Sequence, residues 1–143
     1  MSRRNPGFLL VRAGTRAVGL ALSQVIGVGY LGEVRSVPVI EPAMRGLVAM
    51  QGRMVPLVHL ASLLQGTAYP AKVSSVGVVV EIEGRRVCLE VEEAEILLRE
   101  PALPVPAGET LPWALGVARY HEELVPLLDL TALSSRLLEA ASQ

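Results

Sequence analysis

The sequence predicts an all-β protein made of two related units, each a small curled sheet or barrel, with a helix closing the C-terminus. Three observations predict it. Short apolar runs are separated by two-residue turns, glycines and prolines recur at matching places, and the chain matches itself at a fixed offset of seventy residues.

The elements follow in order. Phe8 to Val11 reads as a strand, Ala13-Gly14-Thr15 as a turn and Arg16 to Leu22 as the returning strand, since glycine between two apolar runs marks a hairpin. Val25 to Leu31 continues as β-branched strand, bent at Gly27 and Gly29. Val37-Pro38 to Glu41-Pro42 is loop or edge, because proline has no amide to donate. Gly46 to Met50 and Arg53 to Leu60 form a second hairpin around Gln51-Gly52, and Ala61 to Leu64 is a short helical turn ended by Gly66. Residues 65–75 make the best linker. Val76 to Ile82 and Arg86 to Val91 are strands about Glu83-Gly84, the prolines at 101, 104, 106 and 112 stiffen a long loop, and Leu124 to Leu130 is strand. From Thr131 the spacing Leu130, Leu133, Leu137, Leu138 puts leucines on one helical face, which gives a helix over 131–143 with Asp129 or Thr131 at its cap.

The self-match places Gly14 on Gly84, Arg16 on Arg86, Pro42 on Pro112, Gly46 on Gly116, Val55-Pro56-Leu57 on Val125-Pro126-Leu127, and Leu60 and Leu63 on Leu130 and Leu133. It runs without a gap over 8–64 and defines a first unit at 8–66 and a second at 76–134 within one domain, 1–143. Units of about sixty residues sit near the lower limit for independent folding, so the two are expected to pack together. Pro56 and Pro126 stand in strands apolar on both faces, with their nitrogens turned away from the ladder.

Composition narrows the function. Apolar residues make up 51% of the 143 and charged residues 19%, which argues against disorder. A mean hydropathy of +0.45 points to apolar surface that a partner covers. A net charge of −1 supplies no field for nucleic acid. The single cysteine, Cys88, leaves no disulfide or thiolate metal site and suits a reducing interior. Ser2-Arg3-Arg4 precedes an apolar run too short for a signal peptide, and no stretch reaches the ~20 apolar residues of a membrane span, so a soluble, cytoplasmic protein without membrane insertion is expected.

Catalytic chemistry finds little support. His59 and Asp129 look like an acid–base pair, with Ser62 or Ser134 as nucleophile, and this supports an alternative as a hydrolase-like enzyme or small-ligand barrel. The offset of seventy, however, makes them equivalent polar positions at two strand ends. No nucleophile-elbow pattern accompanies them, and two histidines at unrelated spacing hold no metal. His121 reads as a solvated turn residue. Glu90, Glu92, Glu93 and Glu95 read as a solvated acidic face, and Cys88 as a small core residue. No catalytic residue, metal or cofactor is expected.

The order of motifs resembles a known family. An N-terminal strand pair, the Val-x-x-Val of Val25 to Val28, Val37-Pro38, the spacing Gly46, Gly52, Pro56, Leu60, and the close Leu115-Gly116-Val117 with Leu124 to Leu133 are together similar to the CheW-like domain. The resemblance spans Phe8 to Leu138. It implies two pseudo-repeated five-stranded SH3-like β-barrels packed side by side, with a C-terminal helix. It also implies a non-catalytic adaptor of bacterial chemosensory signalling, whose partners are the cytoplasmic tip of a methyl-accepting chemoreceptor and the regulatory domain of a CheA-type histidine kinase. The contact residues it suggests are Val25, Gly46, Met50, Gln51, Gly52 and Arg53. The chain departs from the family pattern at Gln51 (an Arg there), Gly27 (a Glu), His59 (an Asp) and Ala61 (an Arg), and Pro42 lies one residue nearer to Gly46.

Overall fold

Two-residue turns fold the chain into four hairpins. They join β1 (Phe8–Ala13) to β2 (Arg16–Ala21), β4 (Met44–Met50) to β5 (Arg53–His59), β6 (Val76–Ile82) to β7 (Arg85–Val91), and β9 (Ala114–Tyr120) to β10 (Glu123–Leu128). The single strands β3 (Val25–Tyr30) and β8 (Glu93–Leu98) and the helices α1 (Leu60–Gln65) and α2 (Ser134–Ala141) complete the chain. The structure is a computed structural model and describes residues 7–99, 101–108 and 111–141. The Ser2-Arg3-Arg4 segment and the last two residues of the expected helix lie outside the described residues. Three hairpin tips have both central residues at positive φ: Gln51-Gly52 (54° and 77°), Glu83-Gly84 (51° and 79°) and His121-Glu122 (50° and 65°). That is the turn whose twist matches the flanking strands.

The strands form two five-stranded sheets, ordered β8-β1-β2-β10-β9 and β3-β6-β7-β5-β4. The orders superpose when β1 to β5 are replaced by β6 to β10 and the reverse, so the duplication is real in three dimensions. Its units are not the sheets. Residues 8–66 and 76–134 were expected to form one barrel each, but every sheet draws strands from both. Apolar periodicity fixes hairpins and leaves open which hairpin pairs with which. The offset also needs correction. Val11↔Val18 corresponds to Val80↔Val87, a shift of sixty-nine, whereas Leu47↔Pro56 corresponds to Val117↔Pro126, a shift of seventy. One extra residue therefore lies between the two hairpins of the second half.

Each sheet curls until its outer strands approach. After β3 the chain crosses to β4 and makes one bridge, Arg35↔Leu47, with N–H···O distances of 2.8 Å both ways. After β8 it does the same at Leu103↔Val117, at 2.7 and 2.8 Å. Gly46 and Gly116 lie beside these bridges. A Cβ on Gly46, whose φ is +152°, would collide with the Arg35 carbonyl oxygen, and one on Gly116 would lie 2.6 Å from the Leu103 oxygen. The matched glycines serve closure of the wall.

Between the sheets runs one core. Leu9, Val11 and Leu20 of the first sheet pack with Val58, Val80 and Leu89 of the second, and Leu137 of α2 is fully buried among them. Pro56 is buried opposite Leu47, and the β5–β7 ladder begins only at Leu57, so its missing amide falls outside that ladder. The helix starts at Ser134, three residues later than the leucine spacing suggested. Asp129 Oδ1 accepts from the amides of Thr131 (3.0 Å) and Ala132 (3.3 Å) and holds a separate turn first. Arg136 then ties α2 down, donating to both carboxylate oxygens of Glu41 (2.8 and 2.9 Å) and to the Leu63 carbonyl (2.9 Å). These bonds hold the buried Glu41 carboxyl below the ordinary range, the Arg136 hydrogen bonds contributing most.

Candidate functional site: a clasped hairpin tip beside an apolar groove

Tip and strand meet at the outer wall of the second sheet. The turn of β4–β5 points Gln51 and Met50 at the inner side of β3, where alternate residues are Gly27 and Gly29. The Gln51 amide occupies the place a Gly27 side chain would take, and Met50 Cε lies 3.5 Å from where a Gly29 Cβ would be. Two of the departures from the family pattern, Gly27 and Gln51, are thus in contact: where the pattern has an acid and a base, this chain lays an amide on a bare backbone.

The six suggested contact residues divide accordingly. Gln51, Gly52 and Arg53 are exposed on the tip, and Gly52 has open space around its α-carbon. Val25 is half-buried at the start of β3, packed on the core. Met50 is buried at 7% exposure, and Gly46 is buried at the bridge to Arg35. Those two lie beneath the surface on which the tip stands.

Sequence reasoning missed the outer side of β3. Ile26, Val28 and Tyr30 alternate with the glycines and stand exposed, Tyr30 at 86%. The signal was there: in Val-Ile-Gly-Val-Gly-Tyr only the glycine-free register carries large side chains, so apolar bulk on that strand has to face outward. Val28 and Tyr30, with Val76, Ala94 and the rim residue Glu93, line a groove of about 270 Å³ between the two sheets.

The acidic cluster is not a uniform solvated face. Glu90 is fully buried and pairs with Arg45 (Nε to Oε1, 2.5 Å), while Tyr69 lies 4.4 Å from that guanidinium and covers it. Glu95 takes Arg12 at 2.8 Å. Glu92 accepts from the Gly14 amide at 2.5 Å and lies 3.4 Å from His59 Nε2. Strand pairing from the opposite half made Glu90 a core residue, which no local pattern shows.

His59 has a partner but not Asp129. Its Nδ1 accepts from the Ser62 amide (3.3 Å) and sits 2.8 Å from Ser62 Oγ, so it caps α1 as Asp129 caps the turn before α2. A Ser–His–Glu series results, yet Ser62 is 2% exposed and His59 4%, which seals the hydroxyl from any substrate. Burial, and secondarily the Glu90 charge, pushes the Cys88 thiol up to about 12 and makes it a poor nucleophile. Among the described residues no three His, Cys, Asp or Glu side chains gather as a metal site, and no helix is long and apolar enough to cross a membrane. His121 is exposed on the β9–β10 tip, its ring 4.2 Å from that of Tyr120.

Comparison with known proteins agrees with this architecture. Among solved structures, the scaffolding protein TtCheW from Thermoanaerobacter tengcongensis superposes with a TM-score of 0.74 at 18% identity, over 87% of this chain and 88% of that one. At that identity the likeness shows the fold. No curated protein matches in sequence. The model of the CheW-like domain matches residues 7–136, nearly the whole described chain. This chain belongs to the CheW-like domain family.

Proposed function

We propose that the protein is a non-catalytic, cytoplasmic adaptor of a bacterial chemosensory array, coupling the cytoplasmic tip of a chemoreceptor to the regulatory domain of a CheA-type histidine kinase. The observation that carries this reading is the family match over 7–136, joined to a solved relative described as a scaffolding protein. Two surfaces support it. The exposed tip Gln51-Gly52-Arg53 is polar and firmly seated through Gln51 and Met50 on β3. The groove beside Val28 and Tyr30 is apolar and open, the kind of surface that takes the apolar face of a helix. Because both involve β3, an adaptor of this form holds two partners on one rigid strand.

The test is a pulldown of the full chain with receptor signalling tips and with CheA regulatory domains. Arg53→Glu reverses a charge at an exposed position and leaves the core untouched. Gly84→Asn, on the separate β6–β7 tip where φ is 79°, keeps a residue that tolerates positive φ and serves as the folded control. The expected result is capture of both partner types by the parent and the control, with Arg53→Glu losing at least about tenfold in affinity for one of them. Capture of neither by the parent would sink the adaptor reading. Equal binding by Arg53→Glu would remove the tip from the interface.

A further inference from the structure

Four ladders are hairpins within one half of the chain, and four more join the halves: β1–β8, β2–β10, β3–β6 and β5–β7. Among the described residues no ladder joins the β1–β2 hairpin to β4–β5 inside the first half, nor β6–β7 to β9–β10 inside the second. Among the described residues the strands and hairpins of each half are joined to one another by no ladder beyond the single bridge at Arg35↔Leu47 or Leu103↔Val117, and their missing neighbours are supplied by the other half. The covalent link between them is residues 66–75, a segment without helix or strand.

That linker is clamped rather than slack. Arg45, buried against Glu90, donates from Nη2 to the Lys72 carbonyl at 3.1 Å, and its guanidinium stacks over Tyr69. Glu90 Oε2 accepts from the Ser74 amide at 2.7 Å, and the Ser75 carbonyl accepts from Leu31 at 2.8 Å. Arg45 and Glu90 have no charged counterparts in the other sheet, where Leu115 and Ala21 occupy the equivalent places. The ion pair is therefore not demanded by the repeated architecture. Its distinctive contacts are with the linker.

We propose that a second copy of this chain is an alternative partner for each half: two copies exchange halves through 66–75 into a dimer that reproduces all four inter-half ladders, and the Arg45–Glu90–Tyr69 clamp keeps the chain in its closed, monomeric form. Every strand contact is the same in the two forms, so the difference between them lies in the linker and in concentration. A flexible linker of this length presents each half to its own partner at an effective concentration of order mM, so the clamped chain closes on itself at lower protein concentration.

Deleting residues 67–70 removes Tyr69 and shortens the linker. The reporter is a disulfide across β1–β8, with Arg12→Cys and Glu93→Cys, which are register partners, in a Cys88→Ala background. The undeleted reporter chain is expected to run as a monomer with an intramolecular disulfide. The deletion variant is expected to run as a disulfide-linked dimer that reduction converts to monomer on a denaturing gel. A deletion variant that stays monomeric, or that dimerises with its disulfides intramolecular, overturns the proposal. Arg45→Met with Glu90→Leu, at full linker length, covers the case in which the deletion chain fails to fold. Refolded at about 1 mM, it is expected to give a cross-linked dimer fraction at least about tenfold above the parent's, and an equal fraction overturns the proposal.

Discussion

The two sheets share one ladder order and differ in what cements it. In the sheet holding β4 and β5, the wall is closed by a bridge at Arg35, the outer strand is plugged by Gln51 and Met50, a buried ion pair crosses to β7, and Glu41 fastens α2 from the adjoining loop. In the sheet holding β9 and β10 the bridge is at Leu103, and the positions equivalent to Arg45 and Glu41 are Leu115 and Leu111. Duplication preserved turns, strand prolines and bridge glycines, which are properties of the backbone. It did not preserve the polar chemistry laid over them. What is particular to one sheet is therefore a better guide to this protein's own business than what both share.

The largest difference between the two sheets is expected at the bridge glycines. Gly46→Ala combines a backbone collision with a positive φ and is expected to cost about 3–4 kcal/mol, while Gly116→Ala is expected to cost about 1–2 kcal/mol. Urea denaturation of both variants decides it. Equal losses would mean that the two walls close alike.

Next comes the tie that only one sheet has. Glu41 is held below its ordinary pKa of 4.5 chiefly by Arg136, so its stabilising contribution is present above that value and is lost as pH falls through the lower folded pKa. Glu41→Gln is expected to lower stability at pH 7 by about 1–2 kcal/mol, since Arg136 is partly solvated, and to flatten the acid limb of the stability profile below pH 4.5. Thermal melts across pH 2–7, a range set about carboxylate pKa values, measure this. An unchanged acid limb would assign the tie to packing of α2 alone.

The smallest effects test whether His59 and Asp129 perform the same task. Asp129→Ala is expected to cost about 1 kcal/mol, whereas His59→Asn, which retains a cap acceptor, is expected to stay within about 0.5 kcal/mol of the parent. A much larger loss for His59→Asn would place the importance of His59 in its contact with Glu92 instead.

How much was legible follows from what is local. Hairpins could be read because Gln51-Gly52 and Glu83-Gly84 announce their turn geometry, and the duplication because glycines and prolines resist substitution where backbone demands them. The caps were half-legible: the equivalence of His59 and Asp129 was visible, but the amides they accept from were not. Pairing across 45 residues, as between Arg45 and Glu90, leaves no periodic trace, so a buried carboxylate passed for part of a solvated face. The groove was missed because Gly27 and Gly29 read as bends. In the folded chain they are the empty side of a strand whose other side carries Ile26, Val28 and Tyr30.

The interleaving of the halves has an evolutionary reach. A substitution in β7 is judged by its fit to β5, and one in β8 by its fit to β1, so each copy is part of the other's selective environment. Duplicated domains that lie side by side can drift apart, be reshuffled or be lost singly. Here a recombination that replaced one half would have to match four strand interfaces at once. Neither copy has a complete sheet of its own, so either one alone would present unpaired strand edges.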